Sequence, residues 1–223
     1  MMSSQAARPG VLVTFEGGEG SGKSTQLSVL AARLERAGVA FRVLREPGGT
    51  PAGEAVREIL LDPGHSGLDA VAELLLYEAS RAQLVADVIE PALANGEVVL
   101  LDRFYDSTTA YQGYARGLDL DHVRELNAVA TAGRAPDLTL LFDIDPAEGL
   151  RRATTSGADR LESEDLAFHE RVRAGFLAIA AAEPERVRVV DATGDVETVA
   201  ARVRVELASA PAVARALSGA VTP

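Results

Sequence analysis

The 223-residue chain contains no cysteine. Disulfides and thiolate metal sites are therefore excluded, and nothing in the composition marks an exported protein. No apolar run approaches the ~20 residues of a membrane span. The opening stretch, Met1 to Gly10, lacks an apolar segment of signal-peptide length, so it reads as a frayed leader and the expected location is cytoplasmic. Positive charge is scarce as well: 22 Lys and Arg stand against 33 Asp and Glu, a formal net charge of −11. DNA or RNA as the main partner would need a basic face, so nucleic acid is set aside. A small phosphorylated ligand held by a few converging arginines stays compatible with an acidic protein. Scarcest of all is lysine, which occurs once, at Lys23.

That single lysine lies in Gly17-Gly18-Glu19-Gly20-Ser21-Gly22-Lys23-Ser24-Thr25, which matches G-x-x-x-x-G-K-[ST], the phosphate-binding loop. An apolar run, Val11 to Phe15, leads in, and a helix-like stretch from Gln26 to Leu34 leads out. Strand, glycine loop and helix is the setting in which backbone N–H groups and a helix N-terminus surround phosphate oxygens. In that setting Lys23 reaches the β- and γ-phosphates of a nucleoside triphosphate, and the Ser24 hydroxyl holds Mg²⁺. Glu19 is a carboxylate inside an anion cradle and needs an answering charge.

With 47% hydrophobic and 25% charged residues, the rest of the chain reads as one globular domain. Short apolar runs at Val11–Phe15, Val39–Leu44, Val98–Leu101, Leu138–Ile144 and Val187–Val190 alternate with amphipathic stretches. This is the pattern of βαβ units in a doubly wound parallel sheet, with ligands at the carboxyl ends of the strands. After the second run comes Arg45-Glu46-Pro47-Gly48-Gly49, either a plain turn or a charged pair at a ligand end. Thr50 and Pro51 then give a helix N-cap and first-turn proline. Residues Leu68 to Leu93 read as one long helix, with Tyr77 and Arg81 sharing a side at i, i+4. They are either a core tyrosine with a surface arginine, or a ring that stacks a base beside a guanidinium that donates to its carbonyl. The third run ends in Asp102-Arg103, fitting a metal-holding aspartate and a phosphate clamp. Asp143 reads as structural and Asp145 as a helix cap. In 151–161, apolar side chains thin out between Arg151, Arg152 and Arg160, as in a mobile lid or a solvated loop. The expected layout is a 1–10 leader, a single domain over 11–207 and a C-terminal tail over 208–223.

Taken in order from about Val11 to about Val199, these segments resemble bacterial thymidylate kinase, a family of P-loop nucleoside-monophosphate kinases. The selective parts are Phe15-Glu16-Gly17, Arg45-Glu46-Pro47-Gly48-Gly49, Ser80-Arg81-Ala82-Gln83, Asp102-Arg103, Ala110-Tyr111-Gln112-Gly113 and Asp159-Arg160-Leu161-Glu162. The resemblance implies a three-layer α/β fold with a five-stranded parallel sheet, a closing lid and a homodimer. It implies phosphoryl transfer from ATP to dTMP, with Mg²⁺ at Ser24 and Asp102. It places Tyr77 on thymine, Arg81 at its O4 edge, Thr108 and Gln112 on the ring, and Tyr111 at the sugar. Arg103, with Arg45 or Arg57, would hold the acceptor phosphate, with Glu16 also on the acceptor side, and Arg152 would lie along adenine. The catalytic set would be Lys23, Arg103, Glu19 and Arg160, with the lid arginine Arg160 supplying charge at the transferring phosphoryl group. Glu19 would be answered by that lid arginine, by the bound Mg²⁺ shell or by the acceptor's 3′-hydroxyl. No Asn-Lys-x-Asp guanine motif is available to a chain with one lysine, and the Leu-Ser-Gly-Gly-Gln segment of transporter ATPases is absent. The remaining rivals are a guanylate- or cytidylate-type kinase and a regulatory P-loop ATPase.

Overall fold

A computed structural model of the chain describes residues 10–65, 67–153, 160–217 and 220. Five strands form one parallel sheet: β1 (Val11–Gly17), β2 (Phe41–Arg45), β3 (Val98–Asp102), β4 (Leu138–Asp143) and β5 (Val187–Asp191), in the order β2-β3-β1-β4-β5. The switch of strand order falls beside β1, so β1 is central and buried along its whole length. Every strand starts within two residues of its apolar run, and each ends in a charged residue or glycine at the carboxyl edge. That edge carries the site, as the sheet topology requires.

The helices cover both faces. Val11, Val13 and Phe15 of β1 point to one face. There they meet Leu27, Leu30 and Leu34 of α1 (Lys23–Arg36) and Val199, Val203 and Leu207 of α9 (Val196–Ser209). Leu12 points to the other face, with Val99 and Leu101, against Leu84 and Ile89. Further along that face, Leu141 joins Tyr111, Phe168, Val172 and Phe176. Phe168, Val172 and Phe176 lie on α8 (Leu166–Ala182). Alternation along β1 thus feeds two cores at once, as expected of a sheet covered on both sides.

The long helix expected over 68–93 is present but not uniform. It runs as α3 (Ala70–Leu84), a π-helical segment (Val85–Ile89) and α4 (Glu90–Ala94). Pro91 has no N–H to give back to residue 87, and a widened turn just before it accommodates the loss. Asp69 caps α3, Thr50 caps α2 (Pro51–Leu61) and Asp145 accepts from Ala147 N at 3.0 Å at the start of α7 (Pro146–Ala153). The remaining helices are α5 (Tyr105–Thr108), continued by a π-helical segment (Thr109–Ala115), and α6 (Leu120–Ala130).

One boundary is corrected. The 208–223 stretch was expected to be a separate tail, but α10 (Pro211–Ala216) packs back on the domain, with Val213, Leu217 and Ala220 buried among the β1 and α9 side chains. Alanine-rich composition concealed this, because apart from Val213 and Leu217 the described residues that pack here, Ala210, Ala216 and Ala220, are alanines. The leader expected over 1–10 lies, apart from Gly10, outside the described residues, as does the lid tip 154–159.

Candidate nucleotide site

A cleft of about 770 Å³ opens along the carboxyl edge of the sheet. Its floor is the loop between β1 and α1. Gly22 takes φ 86° as the N-cap of α1, and Gly20 takes φ 61°. A Cβ on Gly20 would lie 1.9 Å from the carbonyl oxygen of Gly149, so the loop backbone rests directly on α7. This close approach leaves room for no side chain at Gly20, whereas at Gly22 it is the left-handed backbone that favours glycine. The Lys23 ammonium folds over the loop and donates to Gly17 O at 3.0 Å, Gly18 O at 2.8 Å and Ser21 Oγ at 3.3 Å. Burial, with Arg103 close by, pulls its pKa down to about 8. An arriving phosphate would favour the charged form.

Beside Lys23, the Ser24 hydroxyl donates to Asp102 Oδ2 at 2.6 Å. The loop serine and the aspartate that ends β3 are therefore neighbours in space, as the motif and the strand end jointly predicted. One hydroxyl and one carboxylate form a hard-oxygen pair of the kind Mg²⁺ takes when phosphate oxygens and water complete its shell. Among the described residues no cluster of three or more His, Cys, Asp or Glu forms a further metal site.

Arg103 follows Asp102 and adopts φ 68°, a left-handed conformation unusual for a side chain of this size. Its backbone N–H continues the ladder to Phe15 O at 3.0 Å. The turn throws its guanidinium back under the phosphate loop. There it donates to Gly17 O at 3.1 Å, Ser107 Oγ at 3.1 Å and Glu19 Oε1 at 2.7 Å. Tyr111 lies under the same guanidinium, 5.2 Å from ring centroid to Cζ, and its hydroxyl also donates to Glu19 Oε1, at 2.7 Å. Burial alone would raise the Glu19 pKa, but the charges of Arg103 and Lys23 outweigh it and hold the carboxyl at about 2. The charge that answers Glu19 is thus Arg103. This corrects the expectation that a lid arginine near residue 160 would supply it.

Arg160 is placed away from the phosphate loop. Its Nε donates to Leu60 O at 2.8 Å and its Nη1 pairs with Glu73 Oε2 at 2.5 Å, in a pocket that leaves 6% of the residue exposed. The Asp-Arg-Leu-Glu signature suggested a swinging lid cation, but a buried glutamate on α3 claims it. Glu16 is likewise behind the cleft wall. It accepts from Phe104 N at 2.7 Å, Ser107 N at 3.3 Å and Ser107 Oγ at 2.5 Å, and so shapes the turn that carries Arg103. Burial and the nearby Asp106 push its pKa up to about 8. In this structure Glu16 supports the turn that carries Arg103.

The far wall carries the remaining expected residues. Arg45 donates to Pro47 O at 3.1 Å and pairs with Glu54 at 2.9 Å, while Arg57 donates to Pro47 O at 3.0 Å. Tyr77, Arg81, Thr108, Tyr111 and Gln112 share one stretch of wall. Arg81 is not a surface residue: 1% of it is exposed. Its N–H groups donate to Glu46 from Nε, to Glu78 and Asn127 from Nη1 and to Thr108 Oγ1 from Nη2 at 2.8 Å, and Nη2 also lies 2.8 Å from Glu46 Oε2. A base carbonyl would compete with these partners. Two carboxylates answer one guanidinium there, and burial drives Glu46 up to about 7 and Glu78 upward. At the opposite end Arg152 pairs with Glu148 at 2.8 Å and reaches Ala192 O at 3.4 Å, beside Gly194, Asp195 and Val196.

Sequence reading missed three participants and left one, Glu46, without a partner or role. Gln26, one residue past the motif, donates to Val196 O at 2.9 Å and lines the cleft. The segment from Ala192 to Val196 closes the same end, and its signal was its place at the carboxyl end of β5. Glu46, read as half of a charged pair at a ligand end, proves to be the partner of Arg81, and Glu73 is the third participant missed. Glu73 interrupts the apolar face of α3 one turn before Tyr77, and a buried acid on such a face was the available clue.

A family model described as Thymidylate kinase matches residues 15–203. The chain belongs to the thymidylate kinase family. Among curated members, it is 56% identical to a thymidylate kinase of Deinococcus radiodurans over 185 residues, covering 82% of this chain and 89% of that one. It is 55% identical to a thymidylate kinase of Solidesulfovibrio magneticus over 201 residues, covering 86% and 96%. A crystal structure of thymidylate kinase from Ehrlichia chaffeensis superposes with a TM-score of 0.70 at 35% identity, covering 87% of this chain and 97% of that one. Residues of the Arg45-Glu46-Pro47 turn and of the Asp102-Arg103 pair, two of the segments that carried the resemblance, line one cleft.

Proposed function

We infer that this chain is a dTMP kinase: it transfers the γ-phosphoryl group of ATP to the phosphate of dTMP, giving ADP and dTDP. One observation carries the reading. A triphosphate cradle (Lys23, with Ser24 on Asp102) and a ring-sized wall (Tyr77, Thr108, Gln112) face a single cleft, with Arg103 between them. A hydrolytic switch needs the first half only. An acceptor site built into the same cleft favours transfer to a second nucleotide.

The chain's residues would work mainly by position and charge. ATP would lie with its base between Arg152 and the Ala192–Val196 segment and its phosphates over the loop. The dTMP base would lie against Tyr77, and its phosphate would reach Arg103, with Arg45 and Arg57 in support. Mg²⁺, held by Ser24 and Asp102, would neutralise phosphate charge. The acceptor oxygen is already anionic, so no strong base is needed. One bond from an oxygen to the γ-phosphorus breaks as another forms, and Lys23 and Arg103 stabilise the charge at that centre. Tyr111, pressed between Arg103 and Glu19, would set the edge against the deoxyribose.

A homodimer is part of the proposal. Helix α3 packs on α6, and the two expose Val71, Leu75 and Val129, the last at 77%. A cytoplasmic location is also part of the proposal; among the described residues no helix is long and apolar enough to cross a membrane. The test is ADP release from ATP with no acceptor, then with dTMP, dUMP, dCMP, dGMP or AMP. Strong stimulation by dTMP is expected, with purine monophosphates inactive. Release independent of any monophosphate would mark a switch ATPase, and equal use of dGMP or dCMP would overturn the base assignment.

A further inference from the structure

We propose that Glu73 is a specificity-positioning residue: its buried carboxylate orients the Gln112 amide so that an acceptor oxygen, not an N–H, meets the acceptor nucleobase. The inference rests on the reading above, in which that base lies against Gln112.

Glu73 lies on α3 with none of its surface exposed. Its Oε1 accepts from Gln112 Nε2 at 2.7 Å and from Arg116 Nε at 3.3 Å. Its Oε2 accepts from Arg116 Nη2 at 3.3 Å and pairs with Arg160 Nη1 at 2.5 Å. Two guanidinium groups hold the carboxylate, and a carboxylate so held only accepts hydrogen bonds. Gln112 must therefore turn its NH₂ toward Glu73. The partner's chemistry settles which end of the amide faces Glu73. The Gln112 carbonyl oxygen makes no hydrogen bond among the described residues, and the side chain lines the cleft beside Tyr77 and Thr108.

An acceptor oxygen on that wall discriminates between pyrimidines. Thymine and uracil present a ring N–H between two carbonyl groups, which an amide oxygen accepts. Cytosine presents an unprotonated ring nitrogen at the same place, and two acceptors face each other. A buried mismatch of this kind weakens use of the wrong base on the order of 10- to 100-fold. Were the amide free to rotate, its NH₂ would serve cytosine equally well. Glu73 prevents that rotation. The same carboxylate anchors Arg160, the first described residue after 154–159, so that anchor and the base-reading amide share one fixed point.

The test is Glu73→Gln, which keeps the side-chain size but can donate as well as accept, so Gln112 is released to turn over. The ratio of kcat/KM for dTMP to that for dCMP should fall about 10- to 100-fold, chiefly through KM for the monophosphates. The kcat at saturating dTMP should change by no more than about threefold. A merely structural Glu73 would alter stability and leave the ratio alone. A folded variant whose ratio stays within twofold of wild type overturns the proposal. Should the variant not fold, ¹⁵N-glutamine-labelled wild type decides: one Gln112 side-chain N–H should lie downfield and exchange slowly. Exchange of both protons at the rate of an exposed glutamine would overturn it equally. Wild-type turnover of dTMP is the control, since its absence defeats the functional reading and not the orientation of Gln112.

Discussion

Glu19→Gln tests the central charge pair. The Arg103–Glu19 contact is 2.7 Å long, and the two side chains keep 19% and 16% of their surface in solvent. At an effective dielectric of 20, the attraction at that distance is about 6 kcal/mol. Desolvation of both ions offsets much of it, and removing one partner of a buried pair costs roughly 3 to 5 kcal/mol. Partial solvent contact, and the bonds Arg103 keeps to Gly17 O and Ser107 Oγ, favour the lower end, about 3 kcal/mol. The titration gives a similar figure. A carboxyl lowered from 4.5 to about 2 contributes about 3 kcal/mol at 1.36 kcal/mol per pH unit. Because the folded pKa is depressed, that stability is complete above pH 4.5 and is lost as pH falls toward 2. The ligand-free variant should therefore melt about 6 to 12 °C below wild type at pH 7, and the gap should close in acid. Saturating dTMP with a non-hydrolysable ATP analogue should also narrow it, because phosphate oxygens replace the lost carboxylate at Arg103. Affinity for dTMP should rise, a competing anion having been removed. Differential scanning calorimetry across pH, with and without ligands, reads all of this. A gap below about 2 °C at pH 7, or weaker dTMP binding, would refute the assignment of Arg103 as the partner of Glu19.

Two further outcomes follow from the same geometry. Arg160→Met leaves Glu73 with Arg116 and Gln112 alone, so the melting temperature should fall by roughly 6 to 20 °C while kcat of the folded enzyme stays within a few-fold. A kcat loss near 10³-fold with an unchanged melting temperature would restore Arg160 to the transferring phosphoryl group. Glu16 is held protonated up to about pH 8 in the folded chain against an unfolded value near 4.5. Its raised pKa favours the fold below pH 4.5 and that contribution is lost as pH rises to 8. Denaturant titrations should show Glu16→Gln gaining on wild type by a few kcal/mol between those limits; a constant difference would show that Glu16 is ionised in the fold.

Most of the fold was legible because its signals are local. Five apolar runs became five strands, and Thr50 and Asp145 cap helices through their own neighbours. Within the site, Lys23, Ser24 and Asp102 were legible for a related reason: a loop and a strand end are brought together by the sheet itself. Charge partnership was not legible. Glu19 and Arg103 are 84 residues apart, Arg160 and Glu73 lie in the chain on opposite sides of the site residues from Tyr77 to Arg152, and the neutral amide of Gln112 is 39 residues from Glu73. With 22 basic and 33 acidic residues, each arginine had several plausible partners, and only packing chose among them. The family signature at residues 159–162 encouraged a lid role for Arg160, because a motif records which residue is present and not which way it faces. The C-terminal helix was lost for a different reason: Val213 and Leu217 are two apolar residues in an alanine background, too few to show a period.

The pairing pattern also explains how so acidic a chain holds two polyanions without a basic surface. In the ligand-free cleft each cation already has an internal partner. Lys23 sits on the carbonyls of Gly17 and Gly18, Arg103 on Glu19, Arg45 on Glu54 and Arg81 on Glu46 and Glu78. The counted charges of Lys23 and Arg103 cancel those of Glu19 and Asp102. The cleft therefore presents little net field at a distance, and long-range steering of any anion is weak. Phosphate binding becomes an exchange of partners. Only a ligand whose oxygens reach several of these cations together offsets the bonds it breaks, and the two fixed groups that flank Arg103, Gly17 O and Ser107 Oγ, hold the guanidinium in place during the exchange. Selectivity for two nucleotides bound head to head then resides in the spacing of already-paired cations, which also accounts for a single lysine sufficing where arginine is used everywhere else.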